Sequence, residues 1–190
     1  MHGAGKCTLF IRLRLADRCL IQFAKPGKTT LHKHLVCIFA ACPDMMVLAD
    51  KNTVHQIIPQ DNPMIMVDVL EAQDEQNTIT SFIIENDNLF VEGGFFSEEG
   101  MIENMAQSAA LRTGWKGMEG SNRHEGFVPP IGVIGAVKDF RIYRRPAAGT
   151  KIRTVLSVTA EIFNATMVSG KIWQGDELLA EGELKIFLQE

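Results

Sequence analysis

Apolar and polar residues form a strand-like pattern in the first part of the chain after residue 45. Two segments rich in Ile, Val, Met and Thr, Met64–Gln73 and Thr78–Glu85, are separated by the polar residues DEQN. Short apolar segments on either side of a polar turn are typical of two antiparallel strands. Just before them, Asn52–Pro63 begins with a residue suited to cap a helix and ends at prolines, which predicts a short helix or turn.

The pattern then changes to that of a helix. We predict a helix from Ser97 to about Trp115, because Ser97 is a suitable N-cap. Glu98 and Glu99 place negative charge in the first turn, where the helix dipole favours it. We expect Gly117 and the glycine three residues later to end the helix.

The remainder of the chain is almost entirely strand-like. Four segments are separated by turn residues, and these are Ile131–Arg144, Lys151–Asn164, Ala165–Gln174 and Leu178–Glu190. Two strands, one long helix and then three or four long strands predict an α+β fold, in which a curved antiparallel sheet wraps around one central helix. Such a sheet requires small residues at the contact, and the helix supplies Ala106, Ser108, Ala109, Ala110 and Gly114.

Composition limits the class of protein. Apolar residues make up 46% of the 190 residues and charged residues 22%, as in a single globular domain. No apolar run reaches the roughly 18 residues needed to span a bilayer. Nucleic-acid binding is not expected either, because the chain after residue 45 is acidic and has no aromatic and basic platform.

Residues 1–44 differ from the rest of the chain. They contain seven Lys or Arg residues against two Asp, together with all four cysteines. We interpret them as an N-terminal extension that is poorly structured or not native, although their basic character also resembles a transit peptide. Residues 45–190 are predicted to form the folded domain, and their lack of cysteine favours a cytoplasmic location.

Three sequence motifs, in this order, give the domain a family resemblance. IIPQDNPMIMVDVL, IENMAQSAA and GAVKDFRIYRRPAAGTKIRTVLSV resemble the opening, the central helix and the third strand of the 3-hydroxyacyl-ACP dehydratases. That family comprises the FabZ type and its relatives in aryl-polyene and flexirubin-like pathways. The resemblance covers about residues 53–190 and implies a single hotdog domain.

The resemblance also implies the catalytic residues. Glu103 falls on the family's helix carboxylate, and Gln107 falls on the glutamine one turn later. The two share a helix face at a spacing of four residues, so one can orient the other. We therefore expect Glu103 and Gln107 to be catalytic.

Four further residues are implied to bind substrate. Gly100 and Met101 would offer backbone N–H groups to the thioester oxygen at the start of the helix. Gly94 and Phe95 fall on the family's Gly-His-Phe turn, so the usual catalytic histidine is replaced by Gly94.

The missing histidine could be replaced in more than one way. His55 and His124 are the two histidines of the domain, and the histidine of the opening motif is replaced by Gln60. Because the family site is shared between two subunits, a partner hotdog subunit could supply the histidine instead.

The resulting functional hypothesis is a 3-hydroxyacyl-ACP dehydratase that acts as a homodimer or heterodimer, with acyl carrier protein as a partner and no cofactor or metal. A thioesterase that uses Glu103 alone, or a non-catalytic subunit that binds the acyl carrier, would also fit the sequence.

Two sets of side chains each allow two interpretations. Basic residues could bind the carrier or form a solvated edge, namely Arg141, Arg144, Arg145, Lys151 and Arg153. Flexible and aromatic residues could line an acyl tunnel or pack in the core, namely Met64, Met66, Met101, Met105, Phe95 and Phe96.

Overall fold

A computed structural model of the chain describes residues 47–120 and 127–189. The proposed extension, residues 1–44, and His124 lie outside these ranges. The described elements, in chain order, are α1 (Lys51–Ile57), β1 (Val69–Gln73), β2 (Asn77–Ile83), β3 (Val91–Glu92), β4 (Phe95–Phe96), α2 (Glu98–Gly120), β5 (Gly132–Ile142), β6 (Lys151–Ile162), β7 (Ala165–Gln174) and β8 (Glu177–Leu188).

One large sheet carries the fold. Six strands pair antiparallel in the order β1-β2-β6-β7-β8-β5, while β3 and β4 form a separate two-stranded ribbon. The predicted arrangement of one long helix against an antiparallel sheet is therefore confirmed. The small β3–β4 ribbon was not predicted, because two-residue strands are too short to show any alternation.

Helix α2 separates two hydrophobic clusters. Towards the sheet, Met101 and Met105 are fully buried in a cluster with residues of β2, β6, β7 and β8. On another side, Leu111 and Met118 pack against α1. Gly114 permits this contact, because a Cβ at that position would collide with the carbonyl oxygen of Ile57.

Three predicted boundaries were wrong. Helix α1 is capped by Asp50 rather than Asn52, since the N–H of Thr53 donates to the Asp50 carboxylate at 2.9 Å. Helix α2 continues past Trp115 and Gly117, where buried Met118 gives the last turn a packing contact, and ends at Gly120, the second of the two glycines expected to end it. The first strand begins at Val69 rather than at residue 64.

Arg112 ties α2 to the turn between β1 and β2. Its side chain is 3% exposed, and burial lowers the pKa of the guanidinium group. The guanidinium donates to the carbonyl oxygens of Asp74 at 2.9 Å and Asn77 at 3.2 Å, to that of Glu75, and to the Thr78 hydroxyl at 2.9 Å. One helix residue thus provides the donors for most of this turn.

We expect Arg112→Met to lower the free energy of unfolding by about 2–4 kcal/mol, because the buried Thr78 hydroxyl and the part-buried carbonyl oxygens of the β1–β2 turn would lose this donor. Urea denaturation measures the change. Lys116→Met is the matched control on the exposed side of the same helix and should change stability by less than about 0.5 kcal/mol. Equal effects of the two substitutions would contradict this role of Arg112.

Phe163, at the tip of the β6–β7 turn, combines an unusual backbone conformation with an exposed aromatic side chain. Its side chain is fully exposed, and its φ of 53° lies in the left-handed region that disfavours residues other than glycine. We expect Phe163→Gly to raise the free energy of unfolding by about 0.5–1 kcal/mol, because relief of backbone strain exceeds the added entropy of the unfolded chain.

The neighbouring residue provides the control for this stability measurement. Asn164 has no positive φ, and its side-chain amide donates to the carbonyl oxygen of Leu188 at 3.3 Å. Asn164→Gly should therefore give no gain in stability. A loss of stability in Phe163→Gly would show that its conformation is not strained.

Candidate active site

A cleft of about 330 Å³ runs along one face of α2. Ala109 and Arg112 of the helix line it together with Glu103, Ala106, Ala110, Thr113 and Lys116, which recur at spacings of three and four residues and therefore share a face. Thirteen residues separate the first of these from the last, which corresponds to about 20 Å of helix axis. Other lining residues come from β5, β7, β8, the end of β6 and the β6–β7 turn. Because Ala106, Ala109 and Ala110 have small side chains, space remains beside this part of the helix.

Glu103 stands at one end of this cleft and is partly buried. One of its carboxylate oxygens accepts a hydrogen bond of 2.8 Å from the side-chain amide of Gln107. The other oxygen accepts none from the residues that the structure describes. Glu103 is therefore oriented by its neighbour and still has one oxygen available in the cleft.

Gln107 is fully buried and uses all of its hydrogen-bonding groups. Its amide nitrogen also donates to the carbonyl oxygen of Met64 at 2.6 Å, and its oxygen accepts from the N–H of Met66 at 2.7 Å. The side chain thus takes the place of a strand partner for the segment before β1. Met64 and Met66 lie before the first residue of β1, so a helix side chain satisfies backbone groups that no strand partner satisfies there. Gln107 was expected to be catalytic; in the structure it hydrogen-bonds to Glu103, and its other bonds are to the backbone of Met64 and Met66.

A second buried polar network supports the same segment. Asn104 is fully buried, donates to the carbonyl oxygen of Met66 at 2.6 Å and accepts from the Thr154 hydroxyl at 2.5 Å. One turn later, Ser108 donates to the carbonyl oxygen of Asn104 at 2.7 Å and lies 2.7 Å from the Thr80 hydroxyl. These bonds connect the helix to β2 and β6, so the carboxylate stands on a rigid element.

The predicted oxyanion donors are already occupied. The N–H of Gly100 donates to the Ser97 hydroxyl at 3.2 Å, and the N–H of Met101 donates to the carbonyl oxygen of Ser97 at 3.1 Å. Ser97 is thus the N-cap, as its residue type predicted. A carbonyl oxygen of a ligand would have to displace this cap to reach the two N–H groups. The side chain of Met101 belongs to the core rather than to the cleft.

Gly94 and Phe95 lie in the β3–β4 ribbon and do not line the cleft that holds Glu103. Gly94 is exposed with a φ of 82°, and its carbonyl oxygen accepts from the N–H of Ala148 at 2.9 Å. The Arg145 guanidinium donates to the carbonyl oxygens of Phe95 at 3.3 Å and Phe96 at 3.1 Å. The ribbon is therefore held against the β5–β6 loop, and Phe95 remains 47% exposed.

The residues considered for an acyl tunnel, and His55, lie away from the cleft. Four of the six tunnel residues pack in the core, namely Met66, Met101, Met105 and Phe96. His55 is partly buried on α1 and does not line the cleft. No histidine occurs among the described residues that line it.

Most of the basic residues considered for carrier binding already have partners. Arg144 pairs with Glu177 at 2.6 Å. Lys151 and Arg153 both pair with Glu71, at 3.3 Å and 2.5 Å. The guanidinium group of Arg145 already donates hydrogen bonds to carbonyl oxygens of the β3–β4 ribbon. Two carboxylates and backbone carbonyl oxygens thus orient four of the five basic side chains, and the cluster keeps an excess of positive charge.

One polar residue of the cleft was not predicted as a site residue. Gln60 lines the cleft together with Glu103, and its side-chain oxygen is buried without a hydrogen bond from the described residues. The sequence could have indicated Gln60 as a site residue, because Gln60 replaces the histidine of the family's opening motif. Glu161, a second carboxylate of the cleft, interacts electrostatically with Arg112. That arginine lies nine residues beyond Glu103, about 13 Å along the helix, so the two carboxylates do not form a pair.

Within residues 47–120 and 127–189 no cluster of three or more His, Cys, Asp or Glu residues is placed to hold a metal ion. In the same ranges no helix is both long and apolar enough to cross a membrane.

Comparisons with solved structures define the class of protein. The dehydratase heterocomplex ApeI:P from Xenorhabdus doucetiae matches with a TM-score of 0.59 and 15% identity, over 72% of this chain and 91% of that one. The protein PH1136 from Pyrococcus horikoshii matches with a TM-score of 0.52 and 16% identity, over 77% and 96%. A mutant of thioesterase PA1618 from Pseudomonas aeruginosa matches with a TM-score of 0.53 and 10% identity, over 74% and 94%. These similarities show that the domain has the hotdog fold.

The sequence comparison gives the family. The model of the ApeP-like family, described as ApeP dehydratase, matches residues 52–190. The chain belongs to this family. No curated protein matches its sequence significantly.

The contact between Gln107 and Glu103 predicts a specific pH dependence. In Gln107→Glu the introduced carboxyl group faces Glu103 and the carbonyl oxygen of Met64, so its pKa should rise above the unfolded value of about 4.3. The folded state then binds more protons than the unfolded state. Stability is therefore lost as the pH rises above that value, and the melting temperature should fall more between about pH 5 and pH 8 than in the wild type.

Glu103→Gln combined with Gln107→Glu is the control, because it keeps one carboxylate and one amide. It should lose most of the added pH dependence. If Gln107→Glu titrates like the wild type, Gln107 and Glu103 are not in contact in solution.

Proposed function

We propose that this chain is a subunit of a dehydratase for 3-hydroxyacyl thioesters, in which Glu103 transfers a proton. The observation that carries the proposal is the oriented carboxylate in a cleft beside an alanine-lined helix face. Membership of the ApeP-like dehydratase family supports it.

Dehydration needs two proton transfers. The bond between C2 and its proton breaks, and the C3 hydroxyl leaves as water after accepting a proton, so that a 2-enoyl thioester remains. Glu103 can serve as one of the two groups. The second group is a histidine of a partner hotdog subunit, since the described residues of this cleft include none.

The edge of the sheet supports a partner subunit. β5 is an edge strand that pairs only with β8 in the described sheet, and it carries exposed apolar residues, including Val133 (47% exposed) and Val137 (41%), with Ile131 (53%) just before it. Unpaired strand edges invite pairing with another chain. The similar ApeI:P structure is a heterocomplex, which favours a different hotdog chain over a second copy of this one.

We further propose that acyl carrier protein delivers the thioester. Of the basic residues considered for this role, Arg141 is exposed on β5 next to the free edge. Turnover with carrier-bound and CoA-bound forms of one acyl group would show which carrier is used. Equal turnover of the carrier-bound and CoA-bound forms would show that the chain does not require acyl carrier protein.

Formation of the 2-enoyl thioester should be measured in three samples: the purified chain, a histidine-bearing hotdog partner, and a mixture of the two. We expect activity only in the mixture, and a loss of at least about 10²-fold in Glu103→Gln because a proton-transfer group is removed. Glu161→Gln, which changes the other carboxylate of the cleft, should retain activity. Activity that survives Glu103→Gln would overturn the role of the carboxylate.

The same assay tests a thioesterase, which the oriented carboxylate of Glu103 also allows. Release of free thiol without enoyl product, abolished in Glu103→Gln, would identify that activity. If neither product forms with any partner while the chain still binds acyl carrier protein, the chain is a non-catalytic subunit.

A further inference from the structure

Phe163 combines two unfavourable features at the rim of the cleft. It lines the cleft, yet its side chain is fully exposed, so its apolar ring is packed against none of the described residues. Its φ of 53° also lies in the left-handed region. Backbone positions with such strain are concentrated at functional sites, where a function offsets the cost to stability. An aromatic residue that the fold itself does not use is therefore a candidate for contact with a ligand.

Strand β6 places Phe163 at the end of the cleft remote from Glu103. The strand contacts α2 next to Glu103 through the hydroxyl of Thr154, which donates to the helix at 2.5 Å. It then continues to Glu161, which lines the cleft and interacts electrostatically with Arg112 further along the helix. Since a strand advances about 3.3 Å per residue, Phe163 lies roughly 7 Å beyond Glu161, where the chain turns back.

An apolar wall leads along the sheet towards Phe163. Val168 of β7 lines the cleft where the cleft adjoins the core. Ile186 and Leu188 of β8 line it closer to the β6–β7 turn, and they face the same side of the sheet because they lie two positions apart. The N–H of Leu188 donates to the carbonyl oxygen of Asn164 at 2.8 Å, which places the end of this wall beside the turn.

We propose that Phe163 packs against the distal part of a long apolar acyl chain and makes the cleft selective for chains that reach it. The alanines of α2 and the aliphatic side chains of the sheet provide apolar surface along the cleft for a chain that begins at Glu103. Each methylene group that leaves water for apolar contact raises the affinity about fourfold. Without the ring of Phe163, the last part of such a chain would stay in water.

This inference rests on the proposed function, because it requires the thioester of an acyl chain at Glu103. It adds a residue and a preference for chain length that dehydration itself does not require.

Binding of S-alkylpantetheines of increasing chain length tests the contact, because these thioethers contain neither a hydroxyacyl group to dehydrate nor a thioester to hydrolyse. Calorimetry should be carried out on the mixture with the hotdog partner. In the wild type we expect the affinity to rise about fourfold per methylene until the chain passes Phe163. In Phe163→Gly the rise should stop at a shorter chain, so that the longest members bind about 5- to 50-fold more weakly and the shortest are unaffected.

Three observations separate this contact from folding and from general loss of apolar surface. Phe163→Gly is expected to be more stable than the wild type, and its melting temperature shows whether a loss of affinity could result from unfolding. Phe163→Leu keeps an apolar side chain and should retain most of the gain for long chains. Leu89→Ser removes another apolar side chain, 56% exposed and outside the cleft, and should leave the whole series unchanged.

The outcomes also separate this inference from the proposed function. Equal affinities of wild type and Phe163→Gly at every chain length, an equal loss at every length, or no binding of any member would overturn the role of Phe163. The dehydratase proposal would then still depend on the assay for enoyl product alone. A loss confined to the longest chains, without any enoyl product in that assay, would support the inference and count against dehydration.

Binding of the partner subunit should be measured with the same variants. If Phe163→Gly weakens the binding of the partner and leaves the ligand affinities unchanged, Phe163 belongs to the interface between subunits, and its role towards the acyl chain is overturned.

Discussion

The side-chain amide of Gln107 is the contact on which the rest of the site depends. It hydrogen-bonds to the backbone of Met64 and Met66 and to the carboxylate of Glu103 at the same time. Because it is fully buried, each of these groups would lack a partner without it. The segment before β1 and the orientation of the carboxylate are therefore stabilised by one residue, and a change in one affects the other.

Small residues give the two sides of α2 different surroundings. Gly114 allows the end of α1 to approach the helix backbone, which buries one side. On the cleft side, Ala106 and Ala110 leave a space that no large side chain of the described residues fills. A helix that packs against α1 and against the sheet, and that carries small side chains along the cleft, provides a rigid surface for an extended ligand. Small residues thus allow close packing on one side of α2 and leave a cleft on the other.

Within the described residues, the cleft places no histidine beside Glu103. Glu103 has its orienting partner, but the ribbon that carries Gly94 is held elsewhere by Arg145 and Ala148 and does not reach the cleft. Core packing accounts for Met101 and the Ser97 cap accounts for the N–H groups at the start of α2. Among the described residues, the groups that remain for chemistry are the carboxylates of Glu103 and Glu161 and the other polar residues along the cleft.

The sequence by itself determined the order and type of the long elements, the N-cap at Ser97 and the pairing of Glu103 with Gln107, because these follow from local residue types and from spacing along one helix. Only the tertiary structure decided that the backbone of Met64 and Met66 hydrogen-bonds to helix side chains, that Met66, Met101 and Met105 pack in the core, and that Gln60 lines the cleft. These features depend on contacts between residues that are tens of positions apart. No local pattern of apolar and polar residues records which distant group will satisfy a given backbone or side-chain atom.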